Sequence, residues 1–515
     1  MKIRKHCSFL TGPSGINQVI NMKPAIFLFL AFSLFQPSLT AQEKVNIIYI
    51  YADDLGYGEL GCYGQEKIRT PHLDRMAREG MRFTQHYTSI PVCAPARGML
   101  LTGMHAGHAY IRGNYELGGF ADSLEGGQMP LHEGAFTLPR MLKQVGYATA
   151  AIGKWGLGMH NTTGAPLKQG FDYFYGYLDQ KQAHNYYPTH LWANGRWDTL
   201  NNPRINVHRA LDPAAAGADD FAYFKGNEYS GEKMTEKALD FITAHKAGPF
   251  FLYLPYTIPH ASLQVPEKYT NAYLGEFEEQ PYYGQNGYAA AEHPYATYAG
   301  MITFLDAQVG MILDRLRELG LDENTLVMFS SDNGTTFNGG VNAEFFNSTG
   351  GLRGLKQDLF EGGIRMPFIA RWPGKIPAGT VSDHISAQYD IMATLAELTG
   401  QELRHTDGIS LLPTLLGKNA AQEKHEYLYF EYHARGGQLA VRMGDWKGVK
   451  VKQQQHAAEN PWMIFNLRTD PGETTNLAAR HPELARKFDA IVKDEHRPAH
   501  IREWEFLNPK FALTN

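Results

Sequence analysis

Four short apolar runs in this chain each end in residues that can carry chemistry. Val45–Tyr51 leads to Asp53 and Asp54, Tyr147–Ile152 to Lys154, Phe250–Leu254 to His260, and Leu326–Phe329 to Asp332 and Asn333. Short β-branched and aromatic runs of this kind read as strands buried on both faces, which suits a parallel sheet. Helical patterns lie between them. Thr70-Pro71 opens one, with Thr70 as the expected N-cap and Leu73, Met76 and Ala77 on the inner face; Thr137–Val145, Ser230–His245 and Glu292–Leu319 are others. This alternation over residues 45–400 predicts an α/β fold with a mostly parallel central sheet flanked by helices. The exits of parallel strands share one edge, where open α/β sheets place their ligands. One site is a simpler account of these polar exits than four separate coincidences.

A fifth feature joins them. Cys93-Ala94-Pro95-Ala96-Arg97 is followed by an apolar helical stretch ending in Leu101-Thr102-Gly103. Cys93 therefore falls at or just before a helix N-terminus, where free amides and the helix dipole favour anions. Taken alone, such a cysteine reads as a buried thiol packed as a small hydrophobe. The chain has only 3 cysteines, too few for a disulfide framework. A single Cys62–Cys93 bridge is the remaining option, and the glycine-rich setting of Cys62 and the motif around Cys93 both argue against it.

Adjacent carboxylates such as Asp53 and Asp54 repel unless a cation or partner compensates; the bland alternative is a turn with one capping Asp. With Asp332 and Asn333 they form a hard oxygen donor set, and no His or Cys pair stands at metal-ligand spacing. Such a set prefers Ca²⁺ or Mg²⁺ to Zn²⁺. Lys154 between glycines can reach a cleft or stay solvated. Lys356 sits in the glycine-rich stretch Gly350–Arg365, and His260 taken alone would more often be structural. Residues Gly170–Arg209 are aromatic and look irregular; they suit a lid, a sugar-stacking surface or a self-packed loop.

The termini differ in grammar. Residues 1–41 read as a leader: a secretory signal peptide over about 22–41, preceded by an over-extended start at 1–21. That predicts export to the periplasm or medium, with no membrane span after residue 41. The catalytic region is expected over 42–417. Residues 418–515 predict a small antiparallel sheet with one helix. The net charge of -5 gives no reason to propose a nucleic-acid partner.

From Val45 to Leu477 the chain resembles type I sulfatases of the alkaline-phosphatase-like superfamily. The resemblance rests on Asp53-Asp54-Leu55-Gly56-Tyr57-Gly58, the Cys93–Gly103 motif, Gly153-Lys154-Trp155, Ser331-Asp332-Asn333-Gly334 and Glu361-Gly362-Gly363-Ile364-Arg365. It implies conversion of Cys93 to formylglycine by a maturation enzyme, and one Ca²⁺ held by Asp53, Asp54, Cys93, Asp332 and Asn333. It also implies a positive cluster of Arg97, Lys154, His260 and Lys356, in which Arg97 holds the formylglycine and the metal ligands, Lys154 and Lys356 bind sulfate, and Lys356 or His260 protonates the leaving oxygen. The implied substrate is a sulfate ester, on a sulfated glycan if the aromatic region binds sugar. His105, His108, Arg112, Asn114, His184 and Asn185 are then candidate sugar contacts. The chain departs from the family at Gly156, where relatives often carry a histidine; either a nearby histidine such as His105, His108 or His160 substitutes, or the step that releases sulfate uses a different base. Relatives with the same cysteine motif hydrolyse phosphonate monoesters or phosphodiesters, which is the alternative chemistry. A non-catalytic glycan binder would be expected to lose a metal or motif residue, and none is missing.

Overall fold

The structure is a computed structural model that describes residue 15 and residues 44–117, 125–403, 405–456 and 459–507. The expected leader lies outside the described residues. Strands in chain order are β1 (Asn46–Asp53), β2 (Met81–Tyr87), β3 (Ala148–Lys154), β4 (Tyr173–Tyr177), β5 (His190–Ala193), β6 (Arg196–Thr199), β7 (Phe250–Pro259), β8 (Thr325–Ser331), β9 (Arg365–Arg371), β10 (Thr380–Ser382) and β11 (Ser386–Ala387). Among the described residues these 11 form one sheet in the order β10-β2-β9-β8-β1-β7-β3-β4-β5-β6, with β11 also on β2.

The centre, β8-β1-β7-β3-β4, is parallel throughout. The antiparallel β9 joins it to β2. Side chains alternate along the central strands. Ile48 and Ile50 of β1 face the layer built by Pro294–Glu318, Ser230–Ala244 and α1 (Pro71–Glu79). Ile47, Tyr49 and Tyr51 face α2 (Cys93–Thr102), α3 (Leu138–Gln144) and Asp390–Leu398. Both faces are covered, which is why the strands read as unbroken apolar runs. The helix Pro294–Glu318 buries Ile302, Leu305, Val309, Ile312 and Leu316 completely, each contributing about 1.5–3 kcal/mol. It is also long and apolar enough to cross a membrane, but it is a core helix here.

Two local expectations change. The stretch Gly170–Arg209 is not irregular: it contributes β4 and the β5–β6 hairpin to the sheet edge. These strands are only 4 or 5 residues long, too short to establish an alternating pattern. Thr70 does not cap α1. The backbone N–H groups of His72 and Leu73 donate instead to Asp306, at 3.1 and 2.7 Å, from the long helix packed against it.

A second, antiparallel sheet holds β12 (Leu428–Tyr432), β13 (Gln438–Met443), β14 (Trp446–Lys450) and β15 (Met463–Asn466), with the helix Pro482–Glu495 against it. The two sheets share an apolar seam that includes Tyr87, Met99, Leu359, Phe430 and Val449. Fully buried Lys447 crosses that seam, 2.9 Å from Glu361 and 3.0 Å from Glu473.

Candidate active site

The parallel strands deliver their exits to one place, as expected. Ligand atoms of Asp53, Asp54, Cys93 and His260 all lie within 4.8 Å of one another. In a regular strand Asp53 and Asp54 would point to opposite faces. The pairing of β1 with β7 shifts register between Tyr51 and Asp53, and Asp54 takes a left-handed φ of 65°. Both carboxylates therefore reach Cys93: its Sγ is 3.4 Å from Asp53 Oδ1 and 3.9 Å from Asp54 Oδ1.

Cys93 is the first residue of α2. Asn114 accepts the Ala94 N–H at 3.0 Å and so fixes the helix start beside the nucleophile. At the other end Gly103, at φ 68°, closes α2 by donating to the Met99 carbonyl at 2.8 Å. The Leu-Thr-Gly of the motif is thus the helix stop. One turn into α2, buried Arg97 donates to Asp332 Oδ2 at 2.7 Å and to the Lys154 carbonyl at 2.9 Å, and stands 3.4 Å from Asp53 Oδ2.

Two lysines complete the ring. Lys154 Nζ is 2.7 Å from Asp53 Oδ2, and Lys356 Nζ is 2.8 Å from Asp54 Oδ2. Burial disfavours both charges, but Asp53 and Asp54 outweigh it and hold the ammonium groups protonated. Burial likewise raises Asp53, yet Lys154 and Arg97 hold it well below the usual carboxylate range. Asp332 is pushed up to about 7 by burial and by Asp53. His260 donates from Nδ1 to the Ala261 carbonyl, which leaves Nε2 as the acceptor, 3.6 Å from Asp54 Oδ2. Burial and Lys356 push His260 down to about 4.

Asn333 donates from Nδ2 to Asp54 Oδ1 at 2.7 Å, while its Oδ1 is buried without a hydrogen-bond partner. An orphaned amide oxygen beside three carboxylates is the donor set of a hard divalent cation. The residues present therefore fit the Ca²⁺ expected from the sequence. Cys62 and Cys93 are both free thiols, so the disulfide option is excluded and Cys93 is available for modification.

The expected sugar contacts divide. His184 lies at the site, its ring 5.1 Å from that of His260 and nearly parallel. Asn114 touches the helix start, as described. The others are elsewhere. Helix α2 carries the chain about 15 Å away from Cys93 before His105. His105 and His108 stack at 4.2 Å and share Glu495, at 3.0 and 3.4 Å, while Asp407 holds His108 Nδ1 at 2.8 Å. Gly107 N–H donates to His105 Nδ1 at 3.0 Å. The ring hydrogen is then on Nε2, facing Glu495, so this cluster is a clamp between the end of α2 and the C-terminal helix. Arg112 is buried on Glu431, at 2.7 Å, and three backbone carbonyls. Asn185 spends its amide on both backbone groups of Tyr187.

Gly156 explains its own departure from the pattern. Its φ is 74°, and a Cβ there would sit 2.8 Å from Gln180 Cγ. A histidine there would strain the backbone and require the Gln180 side chain to shift. His160 does not replace it; it is exposed and stacks on Trp192 at 4.4 Å. Sequence reasoning missed Tyr288, whose phenol shares the field of Lys356, Asp54, Lys154 and Cys93. It also missed Tyr432 of β12, in the field of Lys356 and Cys93. Neither follows a strand of the main sheet, so no exit pattern pointed to them.

Comparison with known proteins agrees with this geometry. Residues 45–401 match the Sulfatase family model, and residues 355–495 match the model for the C-terminal region of N-sulphoglucosamine sulphohydrolase. The second match runs across the boundary expected at 417. Steryl-sulfatase of Rattus norvegicus is 30% identical over 91% of this chain and 91% of its own length. The N-acetylgalactosamine-6-O-sulfatase of Bacteroides thetaiotaomicron is 30% identical over 88% of this chain and 93% of its own. The crystal structure of Ps i-CgsB in complex with k-i-k-neocarrahexaose superposes with a TM-score of 0.70 at 26% identity, covering 91% of this chain and 95% of that one. Strand exits, a motif cysteine at a helix start and kinship over most of the length lead to one assignment: the chain belongs to the sulfatase family and is a sulfuric ester hydrolase.

Proposed function

We propose that this sulfatase is exported, holds Ca²⁺, carries formylglycine at position 93, and removes sulfate from a carbohydrate. The observation that carries the reading is the ring of Arg97, Lys154 and Lys356 closed around Cys93, Asp53 and Asp54. The leader-like segment over 22–41 supports export, and a formylglycine-generating partner is required before the enzyme can work. A glycan substrate is supported by the names of the relatives from Bacteroides thetaiotaomicron and Ps i-CgsB. Steryl-sulfatase is equally similar overall, so the alcohol must be chosen by local features.

Formylglycine, hydrated, would supply an oxygen nucleophile at the position of the Cys93 Sγ. Ca²⁺, held by Asp53, Asp54, Asp332 and Asn333, would supply Lewis acidity and neutralise sulfate oxygens. The remaining work belongs to this chain's own side chains. Sulfuryl transfer, like phosphoryl transfer, spreads charge over three equatorial oxygens, so fixed positive charge in a dry site dominates. Lys154 and Lys356 provide that charge. Arg97 fixes Asp53 and Asp332 in position. Lys356 Nζ and His260 Nε2 both face Asp54 Oδ2, at 2.8 and 3.6 Å, and are the groups placed to hand over or hold the proton of the leaving oxygen.

Protein from a maturation-competent host should turn over 4-nitrophenyl sulfate faster than the matching aryl phosphonate monoester. A much faster phosphonate reaction would reverse the order and sink the sulfate reading. The cation is tested by melting. Removing it with a chelator should lower the melting temperature by at least about 3 °C, restored by excess Ca²⁺, and Asn333→Ala should lose most of that response. Superimposable wild-type melts with and without Ca²⁺ would exclude the cation.

A further inference from the structure

Of the three cations in the ring, Arg97 rides on α2 and Lys154 on the end of β3, but Lys356 lies in neither helix nor strand. A charge that must meet a transition state needs fixed geometry, and a loop supplies it only when fastened from outside. The main sheet's side gives two points. Lys356 N–H donates to the Thr335 carbonyl at 3.0 Å, and Gln357 N–H donates to the Pro91 carbonyl at 2.9 Å, two residues before Cys93.

The second sheet gives the rest. Gln438 opens β13 and is only 2% exposed. Its Nε2 donates to the Gln357 carbonyl at 2.8 Å, and its Oε1 accepts the Leu359 N–H at 3.2 Å. Gln357 is therefore held by both backbone groups, one toward the approach to Cys93 and one toward the second sheet. Arg435, in the turn before β13, donates to Asp358 Oδ1 at 2.6 Å and to Gln357 Oε1 at 3.3 Å. Glu473 Oε2 accepts the Glu361 N–H at 2.7 Å. Tyr432, which pairs with Gln438 across the hairpin, shares the field of Lys356 and Cys93, so this end of the second sheet stands at the reaction centre.

Backbone strain collects on the same contact. Gln357, Arg435 and Glu473 take left-handed φ values of 73°, 54° and 53°. Such angles are costly without glycine and persist where the surroundings over-determine them. Joining the sheets does not require Gln438, because the apolar seam and Lys447 between Glu361 and Glu473 already do so.

We propose that Gln438 is a positioning residue for Lys356: its amide grips the loop on which Lys356 stands, which makes the second sheet a working part of the reaction centre. This rests on the role given to Lys356 above.

The test is a double-mutant cycle on 4-nitrophenyl sulfate, with full-length protein from a maturation-competent host. Gln438→Met keeps the bulk and removes both hydrogen bonds. It should lower kcat by between about tenfold and a hundredfold. In a Lys356→Ala background the same substitution should change kcat by no more than about twofold, because the group it positions is gone. Arg435→Ala, at a partly exposed side chain, should show the same dependence on Lys356 with a smaller loss. Melting of each variant is the control, and Arg435→Ala decides the matter if Gln438→Met does not fold. Equal fold losses with and without Lys356 overturn the proposal, since a merely structural role slows both backgrounds alike. So does a wild-type kcat in folded Gln438→Met. Lys356→Ala at the wild-type rate would instead bring down the role of Lys356, and wild-type protein that leaves the ester intact would bring down the sulfatase reading; the positioning role falls with either.

Discussion

Cys93→Ser, made in a host whose maturation enzyme accepts only cysteine, will abolish sulfate-ester turnover and leave the fold unchanged. The structural effect is small because the two side chains are close in size and the site is already polar around Sγ. A serine hydroxyl can point at Asp53 Oδ1, which the thiol meets at 3.4 Å, so the unfolding free energy should move by no more than about 1 kcal/mol. The kinetic effect is large because nothing else in the ring can attack sulfur. Lys154, Lys356 and Arg97 are held charged, and Asp53 and Asp54 are committed to them. Loss of a nucleophile costs on the order of 10⁵–10⁶-fold in kcat. Initial rates on 4-nitrophenyl sulfate with matched urea melts check both halves. Turnover within tenfold of wild type would refute the assignment of Cys93.

Arg97→Ala will cost both stability and activity. The guanidinium is fully buried, 2.7 Å from Asp332 and 3.4 Å from Asp53, with the Lys154 carbonyl on its other nitrogen. Removing one partner of a buried ionic group leaves the others uncompensated, at about 3–5 kcal/mol. The urea midpoint should fall accordingly, and activity should disappear because Asp53 and Lys154 lose their common anchor. Arg97→Lys should recover part of the stability but little of the rate. It restores a charge at one point, whereas the arginine fork reaches two carboxylates and a carbonyl together. An unfolding curve of Arg97→Ala that matches wild type would show that the guanidinium does not hold this ring together.

The reaction centre was legible in the sequence because parallel topology translates chain order into spatial convergence. Asp53, Lys154, His260 and Asp332 each sit just past an apolar run, and runs buried on both faces are hard to mistake. The motif cysteine was legible through its helix, since Gly103 marks the stop and thereby the start. What failed was inference from nearness along the chain. His105 and His108 follow Cys93 closely in sequence, yet α2 carries them to its far end. Asn185 neighbours His184 but turns its amide to Tyr187. Tyr288 and Tyr432 reach the site from a loop and from the second sheet, where position depends on tertiary packing. The strands β4, β5 and β6 escaped because each is shorter than the window needed to see a period.

The fit between Gly156 and Gln180 reaches beyond catalysis to the routes by which such sites diverge. A histidine placed at 156 alone would meet the Gln180 side chain and an unfavourable backbone angle together. While Gln180 keeps this position a histidine at 156 is disfavoured, and it becomes tolerable where the Gln180 side chain shifts or is shortened. The two positions are expected to change in concert across homologous chains.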